Sequence, residues 1–241
     1  MTSAGAAPTP PDHTARTTPI ASGAALLLLA DGRFPAGGYA HSGSLEPSIT
    51  AGRVHDLTTL ESFLSGRAAT VGLVAAAFAA ASCRATHDHD PARLAGLDTA
   101  LDARTPSPAQ RATSRQLGRQ LLRVATAIAP DHRLDSLGAR PHQPVALGVV
   151  GAVLGLTPRD TALAALHESV AGPVAAAVRL MALDPFATHA VLARLGPLLE
   201  QLAQQADQPH GDLDEMPALS APLLDIAAEQ HATRTTRLFA S

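Results

Sequence analysis

Apolar positions recur along this chain in steps of three and four, and no segment has the strict alternation of a half-buried strand. The clearest case follows Asp56, a favourable N-cap, with Thr58, Thr59 and Glu61 in the opening turns. Leu57, Leu60, Leu64, Ala68, Val71, Ala75 and Phe78 mark one buried face of a helix reaching Arg84 or beyond, until the polar stretch Thr86 to Pro91 breaks it. Pro91 to Leu101 reads as another helix. Ser107 and Pro108 open the next, with proline at the first helical position, where no N–H is needed. Leu117, Leu121, Leu122, Val124 and Ile128 form its apolar side. After a loop from Pro130 to Pro144, a helix carries Val145 to Leu154 and stops at Gly155. Thr157-Pro158 starts a longer one with Leu163, Leu166, Val170, Val174, Val178 and Met181 inside, and Gly172-Pro173 predicts a kink in its middle. Asp184-Pro185 begins a helix extending past Glu200. Residues 207–217 form an acidic loop, and Ser220 to Ser241 a helix with an extended end. Upstream, Ser22 to Ala30 is a short apolar helix, and a second runs from about Ser42 to Ala51, ended by Gly52. The prediction is all-α: a single compact, bundle-like domain of roughly eight to ten helices over residues 20–241.

Composition says what such a core is made of. Hydrophobic residues are 46% of the 241 positions but aromatics only 2%, so Ala, Leu and Val must fill it through close helix contacts. Residues 1–19, rich in Pro, Thr and Ala, have no apolar core of their own and read as a disordered tail; no charged region precedes an apolar one, as a signal peptide requires. A net charge of −3 and a pI near 6.4 argue against nucleic acid as the main partner. The lone cysteine, Cys83, excludes an intrachain disulfide and a Cys-rich zinc site, and suits a reduced cytoplasmic setting. The run Ala68 to Cys83 is shorter than the ~20 residues of a membrane span, so it reads as a buried helix and no membrane role is expected. All eighteen basic residues are arginine. Without lysine there is no Walker A loop and no Schiff-base chemistry.

The densest chemistry lies between Asp31 and Glu46, where glycines, a proline, the only tyrosine and a His-Ser pair crowd one turn between apolar segments. His41-Ser42 does not make a nucleophile elbow, because Ala40 and Ser44 occupy the positions that need glycine. His167-Glu168 begins a zinc-protease motif, but Ala171 stands where the second histidine belongs. His87-Asp88-His89-Asp90 has metal-ligand side chains but reads as a solvated loop, lacking anything to fix its ligands. Arg111, Arg115, Arg119 and Arg123 share one helix face: either a basic strip for an acidic protein or a solvated face.

The Asp31–Glu46 turn resembles the N-terminal signature of UreF, the urease accessory protein family. Leu26, Leu27, Leu29, Asp31, Phe34, Pro35, Gly37, Tyr39, His41, Ser42, Leu45 and Glu46 match its pattern. Four further segments are similar in order: Leu117 to Leu122 with Arg119; His142 to Gly148; Ala175 to Leu180 with Arg179; and Leu223 through His231 to Arg237, Leu238 and Phe239. Glu229, Ala232 and Ala240 depart from the family's Met, Glu and penultimate Arg.

The resemblance implies a helical, non-catalytic protein that dimerises, bridges UreD (also called UreH) to the GTPase UreG, and serves nickel delivery to apo-urease. Nickel is handled by the complex, with no stably bound cofactor in this chain. Partner-binding residues are then expected at Pro35, Gly37, Gly38, Tyr39, His41, Ser42, Leu45, Glu46, Arg119, Arg179, His231, Arg234, Arg237, Leu238 and Phe239. The tail would insert into a groove of UreD, and the turn would pack near that end or face UreG. Two alternatives stand beside this: a GTPase-activating factor supplying an arginine to UreG, and a helical small-molecule-binding module.

Overall fold

The structure, a computed structural model, describes residues 22–240. The tail expected over residues 1–19 lies outside them. The helices are α1 (Ser22–Ala30), α2 (Leu45–Thr50), α3 (Leu57–Arg67), α4 (Leu73–His87), α5 (Pro91–Ala103), α6 (Pro108–Ile128), α7 (Gln143–Val153), α8 (Pro158–Met181), α9 (Pro185–Ala206) and α10 (Pro222–Ala232). No strand occurs among the described residues, so the all-α expectation holds.

Helix starts repeat one rule. Six of the described helices, α5 to α10, carry proline in their first two positions. At four of them the preceding Asp90, Ser107, Thr157 or Asp184 accepts a first-turn N–H through its side chain. The cap satisfies an orphan donor while proline presets φ. Asp56 uses a reciprocal version: its carboxylate accepts from Thr59 N at 2.7 Å, and the Thr59 hydroxyl accepts from Asp56 N at 3.0 Å.

The helix opened by Asp56 runs past Arg84, as its stripe predicts. A π turn over Ala68–Gly72 joins α3 to α4, giving one rod, Leu57–His87. This rod and α8 are long and apolar enough to cross a bilayer, but over half of the apolar window of each is buried in the protein. They are core helices: α4 packs against α5, α7, α8 and α9. Small side chains set the spacing. A Cβ at Gly148 of α7 would collide with the Ser82 side chain and the Ala79 carbonyl of α4. Phe78, on the same rod, is completely buried.

Two local expectations change. The second helix starts at Leu45, not Ser42, because Gly43 (φ +60°) and Ser44 (φ +68°) are left-handed. The loop expected over 130–144 contains a 3₁₀ turn, His132–Ser136, and ends where α7 begins at Gln143. The helix α8 continues through Pro173. Proline cannot donate to the carbonyl four residues back; Arg67 of α3 supplies the missing donor, its Nε lying 2.9 Å from the Ser169 carbonyl.

The long connection after α9 is strapped down by arginine. Arg84 donates to both the carbonyl and the carboxylate of Asp207. Arg93 reaches the His210 and Gly211 carbonyls, and Arg104 those of Leu213 and Met216. A forked guanidinium can serve two acceptors at once, which a lysine does less well.

Candidate functional site

The glycine-rich turn lies across α8 and α6. Gly37 takes φ +91°, a conformation that strains any residue with a Cβ, and starts the 3₁₀ turn Gly38–Ala40. The turn's missing side chains let it settle on charged groups below. A Cβ on Gly38 would stand 3.5 Å from the Glu168 carboxylate; one on Gly43 would stand 3.1 Å from the Arg67 guanidinium and 3.2 Å from Pro173. Gln120 of α6 donates to the Pro35 carbonyl at 3.0 Å, fixing the outer edge.

Below the turn opens a cleft of about 800 Å³, walled by Phe34, Val71, Leu117 and Leu147 and bearing Arg67 and Glu168. Burial pushes the Glu168 carboxyl up to about 7, against a 2.5 Å hydrogen bond from Gln143 that favours its charged form. Burial also brings Arg67 down to about 10 and lowers His41 and His167. Neither Arg67 nor Glu168 forms an ion pair among the described residues.

The turn's other end holds the C-terminal tail. Glu46, in the first turn of α2, accepts two successive amides: Leu238 N at 3.0 Å on Oε1 and Phe239 N at 2.9 Å on Oε2. Ala240 N donates to the Ala40 carbonyl at 2.8 Å. His231 Nε2 lies 3.1 Å from the Phe239 carbonyl and 3.8 Å from Glu46, and the Ser44 hydroxyl donates to the Leu224 carbonyl at 3.3 Å. Phe239 points into the core, while Leu238 is 78% exposed.

The structure therefore brings together most residues singled out in the two terminal motifs, and separates the rest. Ser42, Leu45, His231 and Phe239 are buried, so they build the junction from inside and present no free surface. Phe239, named above among the tail's docking residues, packs against this chain's own core. Pro35, Tyr39, Arg234, Arg237 and Leu238 are exposed; Gly37, Gly38, His41 and Glu46 are half-buried. Arg119 is exposed on α6, while Arg179, exposed on α8, lines the cleft along with the turn and the tail. The arginine face of α6 splits in two. Arg115 is bound to Asp98 and Asp102, and Arg111 to the Thr105 and Pro106 carbonyls, which leaves Arg119 and Arg123 outward.

His142, part of the second similar segment, is fully buried between Ser114 (3.0 Å, Nδ1) and Asp102 (3.0 Å, Nε2). The order Ser–His–Asp suggests a triad, but these groups serve a helix start. Ser114 Oγ accepts Gln143 N and Asp98 accepts His142 N, satisfying the first amides of α7. The His87–Asp90 stretch is exposed, and among the described residues no group of three or more His, Cys, Asp or Glu is placed to hold a metal ion.

The roles of Arg67 and Glu168 were not evident from the sequence. Pro173 inside a helical pattern was the one available signal, since it announces an unpaired carbonyl, but nothing in the chain says that the donor stands 102 positions earlier.

Fold and site define an all-α protein whose most elaborate feature is a glycine-rich turn holding the protein's own C-terminus. The UreF family model matches residues 54–196. The chain is 45% identical over 216 residues to the urease accessory protein UreF of Mycobacterium sp. (strain JLS), covering 90% of this chain and 97% of that protein. It is 44% identical over 222 residues to the protein of the same name from Mycolicibacterium vanbaalenii, covering 92% and 100%. The Mycobacterium tuberculosis (strain H37Rv) protein of that name is 44% identical over 218 residues, 90% of this chain and 98% of its own length. The chain belongs to the UreF family.

Proposed function

We propose that this protein works in urease maturation as a cytoplasmic, non-enzymatic scaffold: a homodimer that bridges UreD to UreG and so serves nickel delivery to apo-urease. Family membership supports the urease-accessory part. The observation that carries the scaffold part is the turn–tail junction. A conformationally demanding turn and a main-chain clasp are spent on holding Leu238 and Arg237 at the surface, where no reaction centre of this chain needs them. Exposed apolar groups on an ordered backbone suit protein docking. The absence of lysine leaves GTP hydrolysis to the partner.

Size-exclusion chromatography with light scattering on this chain mixed with its own UreD and UreG tests the reading. A co-eluting species with the mass of two copies of each protein is the expected result; separate elution of both partners would overturn it. Truncation at residue 234 is a blunt complement, because it removes a core side chain, Phe239, along with the docking groups.

The cleft favours one alternative. Its apolar walls and the half-buried Arg67 and Glu168 suit a small molecule with one polar end. Ligand-induced thermal shifts with no partner present would support that reading.

A further inference from the structure

We infer that the cleft beneath the glycine-rich turn is a site for a small organic carboxylate, held at its charged end by the Arg67 guanidinium and along its body by the apolar walls. This rests on the small-molecule reading of the cleft and names the class of ligand.

Arg67 is fixed by one edge and open at the other. Its Nε donates to the Ser169 carbonyl at 2.9 Å, which sets the guanidinium against α8. Its two terminal nitrogens donate to no group among the described residues, although the side chain lines the cleft. The backbone of the turn passes close to that end, since a Cβ on Gly43 would stand 3.1 Å from Cζ and Nη2. With Nε occupied, the pair of terminal NH2 groups remains as a fork, and a planar two-oxygen anion is what such a fork fits.

The chain supplies no full counter-charge. Glu168 shares the cleft but forms no ion pair with Arg67; its Oε2 accepts from Gln143, and burial raises its carboxyl to about 7. At neutral pH it offsets only part of one positive charge. A half-buried cation in this state is costly, and a bound anion relieves the cost. The other charges on the lining favour an anion as well: Arg104, Arg179 and Arg237 stand against Asp225 and against Asp31, which is already paired with Arg33. Glu168 limits the ligand's charge in turn. A phosphate monoester, with about two negative charges, would be repelled by Glu168 as it ionises, whereas a monocarboxylate matches one guanidinium. The walls define the rest of the molecule. A bare anion would leave most of a cleft of about 800 Å³ unfilled, and Phe34, Val71, Leu117 and Leu147 call for an alkyl or aryl body.

The test titrates the full chain with octanoate, and with octan-1-ol and octyl phosphate as controls of equal chain length. Binding is read by isothermal calorimetry and by the Nε–Hε resonance of Arg67. Octanoate should bind about tenfold or more tightly than either control and shift that resonance. Arg67→Met alone strips the Ser169 carbonyl of its donor, so the variant used adds Pro173→Ala, which supplies an N–H there. This double variant should melt near Pro173→Ala and bind octanoate about tenfold or more weakly than the wild type. Glu168→Gln, which removes the competing charge, should bind octanoate at least as tightly as the wild type; weaker binding would place the ligand on Glu168 and overturn the inference. Octanoate binding no better than octan-1-ol or octyl phosphate, or unaffected by the loss of Arg67, overturns the carboxylate assignment and leaves the small-molecule reading standing. If none of the three compounds binds, that reading fails with it.

Discussion

The α4–α7 interface and the turn–tail junction lie in one molecule but are held by opposite means. At α4–α7, cohesion comes from side chains that are small or absent: alanines along α4, and Gly148 where the helices come closest. Directed bonds matter little there, and any added volume meets backbone. At the junction, side-chain volume matters less than acceptors and donors. Glu46, His231 and Ser44 engage main-chain groups, and Phe239 is the tail residue whose side chain the core holds. The interface defines the fold, whereas the junction defines a surface. The first should fail by unfolding and the second by loosening.

The largest effect should come from breaking the interface. Gly148→Leu should destabilise the protein by about 3 kcal/mol or more, since neither the Ala79 carbonyl nor the α4 backbone can yield. For a chain of this size that is about 6–12 °C in melting temperature, read by circular dichroism. A variant that melts like the wild type would mean that the helices do not approach so closely.

Arg67 ties α3 to α8 beneath the turn, and removing it should cost less. Arg67→Met leaves the Ser169 carbonyl without a donor, a loss of about 1–3 kcal/mol. Pro173→Ala supplies an N–H inside the helix, so the double variant should recover most of that loss in urea titrations. If the two losses simply add, Arg67 is not serving that carbonyl.

The two regions also differ in how far the sequence discloses them. The α4–α7 pair is written in local pattern: Asp56 and its threonines, a stripe in steps of three and four, and alanine where helices must touch. Cap-plus-proline starts at Ser107, Thr157 and Asp184 fall where the pattern puts them. What the pattern misses is where one element borrows from another. The rod runs as far as the stripe predicts, but the π turn inside it leaves no mark on the pattern, and α8 passes Pro173 because of a donor on α3. The junction is half legible. Turn and tail each stand out as motifs, but their contact spans more than 190 positions and runs through main-chain groups, which carry no residue signature.

Glu168 gives the third prediction, on the floor shared by the turn and α8. Its folded value, about 7, lies above the usual 4.5, so the folded protein holds this proton more tightly than the unfolded chain. The stability it contributes is complete below about pH 4.5 and is lost as pH rises through about 7. Because the carboxylate faces an open cleft, the loss should be on the order of 1–2 kcal/mol. His41, His142 and His167 act in the opposite sense, since burial lowers them and they favour the folded state only above about 6.5. Denaturation of the wild type alone therefore mixes the two. The difference between wild type and Glu168→Gln isolates the carboxylate, and a flat difference from pH 4.5 to 7 would refute its burial.

The smallest effect concerns how α10 is seated. The Glu229 carboxylate of α10 accepts Ser107 Oγ at 2.5 Å and Ala109 N at 2.9 Å. Ser107 in turn accepts Gln110 N, so α10 shares the N-cap of α6. The α6 start thereby helps hold the helix from which the tail departs. Ser107→Ala should cost about 1 kcal/mol as a lost cap, and Glu229→Met should lower the melting temperature by less, because its carboxylate is exposed and water can replace it at Ala109. Neither change touches Glu46 or the tail amides, so hydrogen exchange at residues 238–240 should stay slow in both. Faster exchange there would make the junction depend on how α10 is seated, and Glu46 would then be one part of a larger support running from α6 through α10 to the tail.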